Sequence, residues 1–114
     1  MATTIHDVIE QDIAAGATYT YAYDVTGATR SFFQVVLSAL GGIEVTLYIQ
    51  SPSNAGDRNA GLTSKGGGIG RRVELATDPS TPIQVPSGQS LVVKVKNLAP
   101  VENRVKGWIN GSTP

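Results

Sequence analysis

The chain contains no cysteine, which rules out disulfides and thiolate zinc sites. It has a single histidine, His6, so any triad or metal centre built on imidazole would have to use that residue. Charged residues make up only 16% of the 114 positions and the net charge is zero. That balance is unlike the strongly basic one of a nucleic-acid binder. No window approaches the roughly 18 unbroken apolar residues of a membrane-spanning helix. Met1-Ala2-Thr3-Thr4-Ile5-His6-Asp7 lacks a basic region followed by an apolar stretch. No secretory signal is read there, and synthesis in a cytosol is expected. The length suits one domain with one core between two packed layers.

What the chain does have is short alternating runs cut by Gly and Pro turns. Residues 18–25 place Tyr19, Tyr21, Tyr23 and Val25 on one face. Residues 31–40 place Phe33, Val35, Leu37 and Ala39 on one face and Phe32, Gln34, Val36 and Ser38 on the other. Both faces carry apolar groups, as in a central strand. Residues 43–50 set Ile43, Val45, Leu47 and Ile49 against Glu44, Thr46, Tyr48 and Gln50, the pattern of a sheet with one wet face. Gly41-Gly42 between these two runs predicts a tight hairpin.

Residues 51–68 are long, polar and glycine-rich, and read as a functional or mobile loop that orders against a partner. Strands resume at 71–76, at 81–85 (an edge between Pro82 and Pro86), at 89–97 and at 104–110. Residues 3–13 fit either a helical turn or an edge strand, and an extended arm or strand is favoured. The expected fold is all-β: an antiparallel β-sandwich, jelly-roll-like, of about eight strands with an N-terminal arm. The organisation expected is an arm or edge strand over 1–13, one sandwich domain over 14–111 and a tail over 112–114.

Charge is unevenly spread. Residues 1–50 hold Asp7, Glu10, Asp12, Asp24 and Glu44 against Arg30, a net of −4, and the remainder carries +4. Two surfaces follow from this: mixed charges on interleaved strands, or a two-signed surface that meets an identical neighbour.

Chemical constellations are sparse. His6 reads as a solvated or packed terminal residue. Asp7, Glu10 and Asp12 lack the spacing of a calcium loop. The run from Gly66 to Arg72 lacks the Gly-Lys-Ser/Thr ending of a phosphate loop. Arg71, Arg72, Lys94, Lys96, Arg104 and Lys106 read as a solvated face or as partners for the acidic half. No residue is assigned to catalysis, to a cofactor or to a metal. Trp108 shares parity with Arg104 and Lys106 and is expected to point outward, as an interface anchor or a platform for a sugar ring.

The Ile5–Ile13 arm, Ala15-Gly16, Tyr21-Ala22-Tyr23-Asp24-Val25, Phe33-Gln34-Val35-Val36-Leu37 and Val45-Thr46-Leu47-Tyr48-Ile49-Gln50-Ser51 together carry a resemblance. The chain resembles small β-sandwich structural proteins of tailed-bacteriophage virions, of the capsid decoration (cement) type. It is also similar to β-sandwich domains that follow secreted peptidases, which belong to exported multidomain chains. The phage resemblance implies a non-enzymatic virion protein, made in the host cytoplasm, that binds the major capsid protein or another virion protein. It implies a homo-oligomer, a trimer first, with no nucleic-acid or membrane partner and no cofactor. The residues expected at the interface are Ile5, Val8 and Ile9 of the arm, Arg58 and Lys65 of the long loop, and Trp108. The alternative is a carbohydrate-binding module on a host-recognition appendage.

Overall fold

The computed structural model describes residues 3–113 and is all-β. Its seven strands are β1 (Thr3–Ile13), β2 (Thr18–Asp24), β3 (Arg30–Gln50), β4 (Leu62–Ala76), β5 (Ile83–Val85), β6 (Ser90–Asn97) and β7 (Asn103–Thr113). All pairings are antiparallel and run in the order β1-β7-β3-β6-β2, with β4 and β5 also on β3.

β3 organises the fold. Its first half pairs with β7 from Ser31 to Ala39, and its second half pairs with β6 from Ile43 to Gln50. Along its other side it pairs with β4 over both halves, with a register shift between Ser38 and Ile43. The sheet curls at this shift into a sandwich-like body of 44 × 28 × 19 Å. One half-sheet holds β1, β7 and the first half of β3. The other holds β2, β6 and the second half.

Gly41-Gly42 is therefore not a hairpin turn. It lies inside a single strand of 21 residues, which lowers the expected eight strands to seven. Asn103 explains the difference. Its amide nitrogen donates to the Gly41 carbonyl at 3.0 Å and its oxygen accepts from the Gly41 N–H at 3.2 Å. That side chain supplies the hydrogen bonds a neighbouring strand would otherwise give, so the backbone bends without reversing. A Cβ at Gly41 would lie 2.8 Å from the Ala99 Cβ, which leaves room only for glycine.

The core forms where the two inner faces meet. Ile5, Ile9 and Ile13 of β1 join Val105 and Ile109 of β7, Val35, Leu37, Ile43, Val45, Leu47 and Ile49 of β3, and Leu91, Val93 and Val95 of β6. Tyr19, Tyr21 and Tyr23 pack against this cluster, as their period-two spacing predicted. Phe32 reverses its expected side. The β3–β7 register shifts between Phe32 and Gln34, so Phe33 is a bulge residue and Phe32 turns inward to 1% exposure. The Phe32 ring meets Tyr23 edge-on at 5.4 Å. Room for β3 comes from glycines on the inner side of β7: Gly107 stands opposite Leu37 and Gly111 opposite Phe32.

Two further expectations are corrected, and one alternative is settled. The N-terminal segment is an edge strand and not a free arm. It pairs with β7 over all eleven residues, and its isoleucines fill the chain's own core. The tail does not begin at 112, because β7 runs to Thr113. The glycine run is not a loop stem, because Gly66–Gly70 lies within β4, where a Cβ at Gly67 would meet the Val45 carbonyl at 2.8 Å. The connecting loop shrinks to residues 51–61.

A candidate binding face on the outer side of the sheet

The outer side of the first half-sheet carries a polar ladder that crosses four strands. Glu74 on β4 accepts from the amide nitrogen of Gln34 on β3 at 2.9 Å, and from Arg72 at 3.3 Å. The Gln34 oxygen accepts from the Asn110 amide on β7 at 2.8 Å and from the Trp108 indole N–H at 3.3 Å. The Asn110 oxygen lies 2.6 Å from Nδ1 of His6 on β1.

The direction of every bond follows from one end. An ionised carboxylate can only accept, so Gln34 must turn its nitrogen toward Glu74. Its oxygen is then left to accept from Asn110, whose own oxygen faces His6. Neutral His6 therefore carries its proton on Nδ1. Hydrogen bonds from Gln34 first, and then from Arg72, hold the Glu74 carboxyl below the ordinary carboxylate range.

Trp108 sits in the middle of this ladder, half-buried, with its ring 6.4 Å from the His6 ring. Val36, opposite it in the β3–β7 register, is 1% exposed although it lies outside the main core. Val8, opposite Trp108 on the β1 side, is 66% exposed. The face thus presents an aromatic plane, two oriented amides, an imidazole and an ion pair side by side. Along the same half-sheet, Arg104 reaches Asp12 at 3.0 Å and Glu10 at 3.5 Å. A groove of about 400 Å³ lies against Ser38, Ala39, Leu40, Arg104 and Lys106, and Leu40 is 92% exposed.

The residues expected at an interface separate here. Val8 and Trp108 share this outer face. Ile5 and Ile9 do not, because they are 8% and 2% exposed in the core. Lys65 lies at the β3–β4 register shift beside a cavity of about 220 Å³ lined mainly by Phe32, Phe33, Val35, Leu47, Leu75 and Ile83.

Arg58 is held internally. Its guanidinium donates to the Gln50 oxygen at 3.0 Å and to Ser90 Oγ at 3.3 Å, and it pairs with Asp24 at 3.0 Å. Gln50 is fully buried, and its nitrogen donates to the carbonyls of Asp57 and Ala60 at 2.8 and 2.9 Å. The 51–61 loop is thus wound around Gln50 and locked by Arg58. It is not waiting on a partner to order it.

Charge mixes across the surface, as the interleaved reading holds. Glu10 and Asp12 of β1 pair with Arg104 and Lys106 of β7, and Asp24 pairs with Arg58. The ladder itself was missed in the sequence. Its one legible trace was the outward parity of Trp108; Gln34 and Asn110 gave no signal, because their partners lie 40 to 104 positions away. Among the described residues, no three carboxylate or imidazole side chains gather as a metal site. No protein-family model matches the chain, and no curated protein matches it in sequence.

Proposed function

We propose that this chain is a non-enzymatic structural protein of a bacteriophage particle, a decoration-type module that binds an outer capsid surface. The observation that carries the reading is the outer face of the first half-sheet. Trp108 is fixed there among oriented polar groups, with exposed Val8 beside it. A rigid aromatic flanked by satisfied amides is the composition of an interface anchor, because little side-chain entropy is lost on contact. The resemblance of the strand pattern to virion β-sandwiches supplies the class of partner.

The test is co-sedimentation with purified heads of the phage that carries this chain. Trp108→Ala paired with Gln34→Ala is expected to abolish retention on the heads while circular dichroism stays β. Full retention by the double variant refutes the reading. Deleting β1 is not a fair test, because it strips Ile5, Ile9 and Ile13 from the core.

One observation favours a second reading. The ladder of His6, Asn110, Gln34, Glu74 and Arg72 beside an indole offers the stacking plane and hydrogen-bonding groups that a sugar needs. Glycan-array binding that disappears with Trp108→Ala would establish a carbohydrate-binding module instead.

A further inference from the structure

β1 is the terminal strand of the β1-β7-β3-β6-β2 path and, among the described residues, pairs on one side only, with β7. Along its other side alternate main-chain N–H and C=O groups have no strand partner; near its end the Asp12 and Ile13 carbonyls accept from the Gln11 and Asn97 amides. Such edges invite pairing with another strand, and most proteins guard them. The other edges of this molecule are guarded or are shorter than β1. β5 has three residues flanked by Pro82 and Pro86. β4 carries Lys65, Arg71 and Arg72 and two register shifts against β3. β2 has seven residues. β1 has no proline, no lysine or arginine, and no register shift over its whole length.

We propose that β1 pairs with β1 of a second copy of this chain, antiparallel, about a two-fold axis at Val8. The sequence of the strand selects the partner and the register. Val8 is the midpoint of Thr3–Ile13, so only a dyad there pairs all eleven residues. In that register His6 stands opposite Glu10 of the second copy, twice over, setting a base against an acid. Asp12 faces Thr4, and Asp7 faces Ile9, so no acid faces an acid. A dyad at Asp7 would set two carboxylates against each other, and one at Ile9 would leave Thr3 and Thr4 unpaired.

On the outer face the two Val8 side chains, each 66% exposed in the single chain, would meet across the axis. Glu10 and Asp12 already have Arg104 and Lys106 beside them, which offsets the strand's acidity. Asp7 is engaged on the inner face, where it accepts from the Tyr21 hydroxyl. The dimer would join the two outer faces into one surface with two Trp108 anchors. This inference stands on β1 alone and does not depend on what that surface binds.

Sedimentation velocity on the full chain over 1–300 µM (about the range in which a small edge-to-edge interface associates) tests it. The wild type is expected to shift from monomer to dimer across that range. Val8→Lys, which sets like charges together at the axis, is expected to weaken the dimer about tenfold or more. His6→Glu is expected to do the same, and adding Glu10→Lys to it is expected to restore association. Circular dichroism of each variant reports whether the fold is kept; Val8, His6 and Glu10 are all exposed, so it is expected unchanged. A wild type that stays monomeric at 300 µM overturns the proposal. So does a trimer, or a dimer that ignores both Val8→Lys and His6→Glu. Head binding by a chain that never dimerises would overturn this inference and leave the proposed function intact; a dimer that ignores heads would do the reverse.

Discussion

Replacing Arg58 with alanine tests whether the 51–61 loop is a built part of the sandwich. Arg58 makes charge-assisted bonds to Gln50 and Ser90 and an ion pair with Asp24. Hydrogen bonds involving a charged group contribute about 1.5–3 kcal/mol. The Asp24 side chain is 48% exposed, so the ion pair adds at most about 0.5 kcal/mol after solvent screening. The buried Gln50 oxygen keeps only a long bond of 3.3 Å from the Asn54 N–H once Arg58 is gone. The expected loss is about 2 kcal/mol at neutral pH, or about 8 °C in Tm for a domain of this size.

Urea unfolding followed by Trp108 fluorescence should show the midpoint falling by about 1 M with little change in slope. Amide exchange should quicken within 51–61, and Arg58→Lys should recover less than half of the loss, because an ammonium cannot fork between Gln50 and Asp24. The pH dependence has a definite sign. Hydrogen bonds from Arg58 and then Ser90 lower the Asp24 pKa in the folded chain. The stability it brings is present above the ordinary carboxylate value and is lost as the pH falls through the lowered one. The gap between wild type and Arg58→Ala should therefore close in acid. A variant within about 0.5 kcal/mol of wild type, with unchanged loop exchange, would refute the reasoning.

Gly107→Ala should cost about 3 kcal/mol or more, because its Cβ would fall 1.8 Å from the Val36 carbonyl oxygen; a soluble variant with wild-type Tm would contradict that packing. Asn97→Leu should cost about 3 kcal/mol by removing the donor shared by the carbonyls of Ile13, Ala14 and Val101, and thermal unfolding measures it. Burial, and then the hydrogen bond to Asp7, raise the Tyr21 pKa well above the ordinary phenol value. Its contribution is therefore complete below about pH 10 and is lost as the pH rises further. Tyr21→Phe should lower stability by about 1–2 kcal/mol at neutral pH and flatten the alkaline limb of a Tm-against-pH curve.

How much was legible depended on the range of the interaction that fixes each feature. Period-two alternation is a property of neighbouring residues, so the inner tyrosines of β2, the inner row Ile43–Ile49, the edge character of β5 and the outward side of Trp108 could all be read directly. Gly41-Gly42 misled because its backbone partner, Asn103, is 62 positions away. Phe32 misled because a one-residue bulge inverts parity without changing composition. The 51–61 loop looked free because polar residues read the same whether solvated or tied to a buried Gln50. Ile5, Ile9 and Ile13 looked like a sticky arm because spacing alone does not say whose core they fill.

Local sterics and the side chains that shun water were enough to specify an all-β chain and most of its inner faces, and the lack of cysteine excluded disulfides. Tertiary structure alone decided where β3 bends, which edge stays open and which polar side chains line up across four strands. Those outcomes rest on hydrogen bonds and close backbone approaches between segments far apart in the chain, and no local pattern encodes them.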